Sequence, residues 1–131
     1  MNNKMDQILA EISIGELVDK ITILEIKKEK IISKEKLANI DKELISLNGT
    51  LKKYIPDQSK ISSFRDDLKK INLKLWDIED GKRSAEKNKK FDENFIELAR
   101  NVYKFNDERA KIKLKINEVS GSNIKEVKSH F

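Results

Sequence analysis

Asp92-Glu93-Asn94-Phe95-Ile96-Glu97-Leu98-Ala99-Arg100-Asn101-Val102-Tyr103-Lys104-Phe105-Asn106-Asp107-Glu108-Arg109-Ala110-Lys111-Ile112 is the stretch that decides the fold class of this chain. Phe95, Leu98, Val102, Phe105, Ile112, Ile116 and Val119 step by three and four residues, the spacing that gathers one face of an α-helix. Arg109 fills the slot left between Phe105 and Ile112. Asp92 supplies a side-chain oxygen to cap the start, and Gly121 a residue that tolerates positive φ at the end. The pattern predicts a helix over about 92–119.

The same periodicity recurs upstream. Ser13-Ile14-Gly15-Glu16 has the S-x-x-E spacing of a capping box and opens a helix over about 14–32. Its stripe is Leu17, Ile21, Leu24 and Ile31, widened by Ile14, Val18 and Ile32, with Lys28 on the stripe itself. Ser33 caps a second helix, about 34–55, although Lys36 stands where Glu or Gln would complete the box. Leu37, Ile40, Leu44, Leu47, Leu51 and Tyr54 form its apolar face, and Pro56 ends it because proline has no N–H to donate. Ser59 is expected to start a third helix, about 59–88, with Ile61, Phe64, Leu68, Ile71, Leu75 and Ile78 as its stripe. Gly81 is a weak point in it rather than a break, since glycine costs about 1 kcal/mol against alanine inside a helix.

The expectation is therefore an all-α fold in one domain, 1–131, of four long amphipathic helices arranged as two packed helical hairpins with short extended termini. Short links favour antiparallel neighbours. Ile8 to Ile12 and the tail 122–131, anchored by Ile124, Val127 and Phe131, are expected to pack beside each other.

Composition narrows the classes of function. The chain has no Cys, which removes disulfides, thiolate metal sites and a cysteine nucleophile. No stretch approaches eighteen apolar residues, and Met1 to Gln7 lacks the pattern of a signal peptide, so a cytoplasmic location is expected. The net charge of +5 invites a nucleic-acid reading, yet acidic and basic residues are interleaved, as in Glu25-Ile26-Lys27-Lys28-Glu29-Lys30. The one local concentration, Lys82, Arg83, Lys87, Lys89 and Lys90, reads as a solvated helix end or loop. Nucleic acid is accordingly not an expected partner.

Polar side chains close to the apolar faces mark where a site would be. Asp19, Thr22 and Glu25 flank the first stripe. Trp76, Asp77, Glu79 and Asp80 occupy one turn of the third helix, where the spacing places Asp77 with Asp80 and Glu79 with Trp76. Arg109, with Asn106-Asp107 beside it and Arg100 and Tyr103 on nearby turns, is the most specific feature. A guanidinium keeps its charge when buried, so it demands a partner. Either a carboxylate among Asp19, Glu25, Asp77 and Glu79 answers it internally, or it stays partly open as an anion site.

These residues fall within blocks that carry a resemblance. Ile14-Gly15-Glu16-Leu17-Val18-Asp19-Lys20-Ile21-Thr22-Ile23-Leu24-Glu25-Ile26-Lys27, Lys36-Leu37-Ala38-Asn39, Leu75-Trp76-Asp77-Ile78-Glu79-Asp80, Phe95 to Tyr103, Asn106 to Ala110, Gly121-Ser122 and Glu126 to Ser129 resemble the domain-of-unknown-function family 6165 of small bacterial and phage helical proteins. The resemblance implies no assigned activity. It implies a loose link to surface-polysaccharide or glycosyltransferase settings, and it brings Lys20 into the candidate set. The chain departs from the family pattern at Gly81 and at His130, where a more helix-favouring residue and a Tyr would be expected.

Two functional expectations follow. The first is a helical accessory module, coiled-coil in character, that associates with itself or with a protein partner through an exposed helical face. The alternative is a small all-α enzyme or binding protein for an anionic ligand bearing phosphate or carboxylate. That alternative takes two forms: Mg²⁺ held by Glu16, Asp19, Asp77, Glu79 and Asp80, or a metal-free site built on Arg109 and Lys28. No other cofactor is expected, and the di-iron carboxylate-histidine pattern is absent because His130 is the sole His.

Overall fold

The computed structural model describes residues 7–122. Four helices fill it: α1 (Ile14–Lys30), α2 (Lys34–Tyr54), α3 (Ser62–Asn88) and α4 (Glu93–Ser120). No strand forms among the described residues, so the all-α expectation holds.

Local chemistry explains most of the boundaries. Ser13, Ser33 and Asp92 each accept a backbone N–H three residues on, from Glu16 at 3.0 Å, Lys36 at 3.4 Å and Phe95 at 3.2 Å. Gly121 closes α4 at φ 70°. The end of α3 uses a costlier device, because Lys89 takes the left-handed conformation (φ 55°) while the N–H groups of Lys89 and Lys90 bond back to Glu86 and Ala85 at 3.2 and 2.9 Å.

Two expectations about helix ends are corrected. α1 stops at Lys30 because Ile31 is extended, and Ile32, expected on the stripe, is 93% exposed. α3 begins at Ser62 rather than at 59, since the Ser59 N–H is taken by the Asp57 carboxylate at 3.0 Å. A separate turn on the Gln58 carbonyl precedes the helix and delivers Ile61 into the core. That backbone hydrogen bond from Ser59, aided by its side chain, holds the Asp57 carboxyl below the usual carboxylate range. The contribution to stability is present at neutral pH and is lost as acid protonates Asp57 in the folded chain.

α1 is the hub. It packs on each of the other three helices, α3 packs on α4, and α2 comes within backbone packing distance of α1 only. Lys28 pairs with Asp41 at 2.8 Å across the α1–α2 hairpin, which turns Lys28 to the exposed surface and corrects its placement on the buried stripe. In the α3–α4 hairpin Lys74 lies over the Phe105 ring at 5.0 Å. Farther along, a Cβ on Gly81 would stand 3.0 Å from Leu98, so α3 runs through Gly81 unbroken and the glycine gives α4 room.

The core gathers Leu17, Val18, Ile21, Leu24, Ile40, Leu44, Leu51, Ile61, Leu68 and Ile116. Tyr54 and Val119 were expected on apolar faces but are exposed. Ile8, Leu9 and Ile12 lie outside any helix and are exposed, and the expected docking of the tail lies outside the described residues.

Gly15 sits against the backbone of α4, where an added Cβ would meet the Lys113 carbonyl oxygen at 2.5 Å, whereas one on Gly49 would meet nothing within 4 Å. Gly15→Ala is expected to destabilise by about 1–3 kcal/mol despite its better helix propensity. Gly49→Ala should stabilise by about 0.5–1 kcal/mol. Urea unfolding of the two variants beside the wild type checks both signs.

Candidate functional site

Asp19 lies on the α1 face turned toward α3 and α4, and its side chain is 1% exposed. A buried carboxylate is stable only if it is paired and hydrogen-bonded. Both conditions are met. Its Oδ1 accepts from Arg109 Nε at 3.0 Å and from Asn72 Nδ2 at 2.9 Å, and its Oδ2 accepts from Arg109 Nη2. The arrangement is the fork-on-carboxylate geometry that only a guanidinium offers.

A second tier holds the first. Thr22 Oγ1 donates to the Asp19 backbone carbonyl at 2.8 Å and accepts from Asn72 Nδ2 at 2.9 Å. Asn106 Oδ1 accepts from Arg109 Nη1 at 3.4 Å. One turn toward the start of α1, the Lys113 ammonium donates to Glu16 at 2.6 Å and sits 3.9 Å from Asp19 Oδ2. The Gly15 N–H donates to Asn117 Oδ1 at 2.6 Å, and the Ile14 N–H to Ser122 Oγ at 3.3 Å. Among the described residues no buried side-chain polar atom lacks a hydrogen-bond partner.

This network forms one wall of a cleft of about 370 Å³ between α1, α3 and α4. Ile23 and Ile26 from α1 and Leu75 and Trp76 from α3 make it apolar. Glu79, Asp80 and Arg83 stand on its α3 side, with Asn72 and Arg109 where it meets the network. Arg109 is 29% exposed, so its guanidinium is held by Asp19 yet borders the opening.

The candidate residues therefore separate into groups. Asp19, Thr22, Asn106 and Arg109 are joined by hydrogen bonds, and Trp76, Glu79 and Asp80 share the cleft. Asp80 sides with Trp76 and Glu79, not with Asp77, because positions 76, 79, 80 and 83 share one helical face; Asp77 is exposed outside the cleft. Glu25 pairs with Arg65 at 3.5 Å, nearer the other end of α1. Lys20 is exposed, and so are Arg100 and Tyr103; Asp107 is half-buried.

The five carboxylates considered for Mg²⁺ are dispersed. Glu16 is on Lys113, Asp19 on Arg109, and Asp77 outside the cleft that holds Glu79 and Asp80. Among the described residues no three His, Asp or Glu side chains are placed to hold one metal ion.

Sequence reasoning overlooked Asn72, Lys113 and Asn117, and it read Arg83, which borders the cleft, only as part of a solvated basic run. A signal for the two asparagines existed. Each sits inside a helix beside a stripe residue, Asn72 by Ile71 in the middle of α3 and Asn117 by Ile116 in the last turn of α4, where Asn is a poor helix former and needs a reason to be present.

In comparisons with known proteins, the model of a family of unknown function (DUF6165) matches residues 8–131. No curated protein and no solved structure matches the chain.

Because Asp19 is fully buried and Arg109 only partly exposed, removing one partner leaves the other's charge without its counter-ion in a largely desolvated setting. Asp19→Asn is expected to cost about 3–5 kcal/mol, and Arg109→Lys to be destabilising as well, since an ammonium cannot span both carboxylate oxygens. Asp19→Asn combined with Arg109→Met should cost less than the sum of the two single changes. Denaturant unfolding in a double-mutant cycle measures this, and strictly additive losses would show that the pair is not coupled.

Proposed function

The chain belongs to this family of unknown function, and on that premise we propose that it is a non-catalytic helical interaction module whose cleft between α1, α3 and α4 holds an apolar, positively charged segment of a partner protein. The observation that carries the reading is the division of labour at the cleft. The groups best suited to chemistry, Asp19 and Arg109, are committed to each other, while the apolar surface beside them is open. Paired in this way, they act as the frame of a binding surface.

The walls state what would fit. Ile23, Leu75 and Trp76 offer an aliphatic and aromatic floor, and Trp and Arg are the residues most often found to anchor protein interfaces. At the rim Glu79 and Asp80 stand with Arg83, and the charge of Arg109 is already answered by Asp19. An anion entering there meets two carboxylates. A helix with aliphatic anchors and flanking Lys or Arg meets an apolar floor and complementary charge. This balance favours the protein-partner reading over the anionic-ligand one. The surface-polysaccharide setting implied by the family resemblance would make the partner a protein of that machinery, met in the cytoplasm.

Trp76 is the sole tryptophan and reports on the cleft directly. Titration with a designed amphipathic peptide carrying Leu anchors and flanking Lys should shift its emission, while an acidic peptide of equal length and inorganic phosphate should leave it unchanged. With a labelled peptide, Ile23→Glu and Asp80→Lys are each expected to weaken binding at least about tenfold, or 1.4 kcal/mol. Preference for the acidic peptide or for phosphate would replace this reading with the anionic one. Equal affinity in the variants would remove the cleft from it.

A further inference from the structure

The face of α4 turned away from the core carries a second periodic pattern. Ile96, Arg100, Tyr103, Asp107, Ala110 and Leu114 follow one another at intervals of four, three, four, three and four residues, the heptad spacing of a coiled-coil seam. This stripe is distinct from the Phe95, Leu98, Val102, Phe105, Ile112 and Ile116 stripe that turns inward. Tyr103 is 65% exposed, and Ile96 and Leu114 are also exposed large side chains. Leu114 keeps 41% of its surface exposed and Ile96 39%.

We propose that this face pairs with the same face of a second copy of the chain, with the two α4 helices antiparallel. The charges select both the occupant and the direction. In a parallel pair Arg100 would meet Arg100 and Asp107 would meet Asp107 across the seam. Turning one helix around a two-fold axis near position 105 reverses this. Ile96 then faces the partner's Leu114, and Tyr103 directs its hydroxyl at the partner's Asp107, whose carboxylate has lone pairs for an added donor. Glu97 faces the partner's Lys111, and by symmetry each of these contacts forms twice. Ala110 in the seam and Ala99 beside it keep the helices close. The seam from Ile96 to Leu114 is about 27 Å long at 1.5 Å per residue, enough for a reversible dimer.

The dimer face and the cleft lie on opposite sides of α4, so the two readings fail separately. The chain has no Cys, which makes directed cross-linking free of background. On mixing, Ile96→Cys and Leu114→Cys chains should form a disulfide between the two variants, while Ile96→Cys by itself should not cross-link to another copy. The reverse result would establish a parallel pair and overturn the proposal. In sedimentation equilibrium the wild type should pass from monomer to dimer as concentration rises. Tyr103→Glu should hold it monomeric with unchanged helical circular dichroism and unchanged peptide binding at the cleft. Glu97→Lys should weaken association, and Glu97→Lys with Lys111→Glu should restore it. A wild type monomeric throughout, or a dimer indifferent to Tyr103→Glu, would overturn the proposal whatever happens at the cleft.

Discussion

The carboxylate of Asp19, buried with the Arg109 guanidinium on one side and Asn72 on the other, is the constraint on which the rest of the structure depends. Apolar stripes tolerate some rotation and sliding, because one aliphatic contact is much like another. A buried charge does not. Any slip of α1 along α4 would leave a carboxylate and a guanidinium desolvated apart, at a cost of several kcal/mol. The pair therefore fixes the register of α1 against α4, Asn72 ties α3 to the same point, and α2, which packs on α1 only, inherits its position. Net stability from such a pair is small once desolvation is subtracted. What it contributes is one arrangement in place of several.

The close approach of Gly15 to Lys113 belongs to the same constraint. A longer separation between α1 and α4 would carry Asp19 away from Arg109 and Glu16 from Lys113. Glycine at this position lets the backbones meet, and its N–H finds Asn117. The polar seam and the missing side chain are two halves of one solution.

Much of the fold was legible in the sequence because its signals are local. Ser13, Ser33, Asp92 and Gly121 act on backbone groups within one turn, and the stripes of α1 and α4 are long enough to establish their period. The misreadings came from competition or from distance. Ser59 looked like a cap until Asp57 claimed its N–H, and Lys28 lay on the stripe by count but pairs outward with Asp41. The candidate site was legible in part. A charge in an apolar slot announces that Arg109 has a partner, yet which carboxylate answers it depends on helix packing that no spacing encodes. Asp80 was assigned to the wrong side because three- and four-residue steps both connect neighbours, and the cleft decides between them only in three dimensions.

The separation of Asp19 from Arg109 by 90 residues has a consequence during synthesis. At roughly 5–20 residues per second, the apolar face of α1 waits on the order of 5–20 s before the helix that completes its seam has left the ribosome. During that interval first α2 and later α3 are its only helical neighbours, and the part of its face that α4 will cover stays open to water and to other nascent chains. The hub of the finished molecule is thus the part of it that spends longest unfinished.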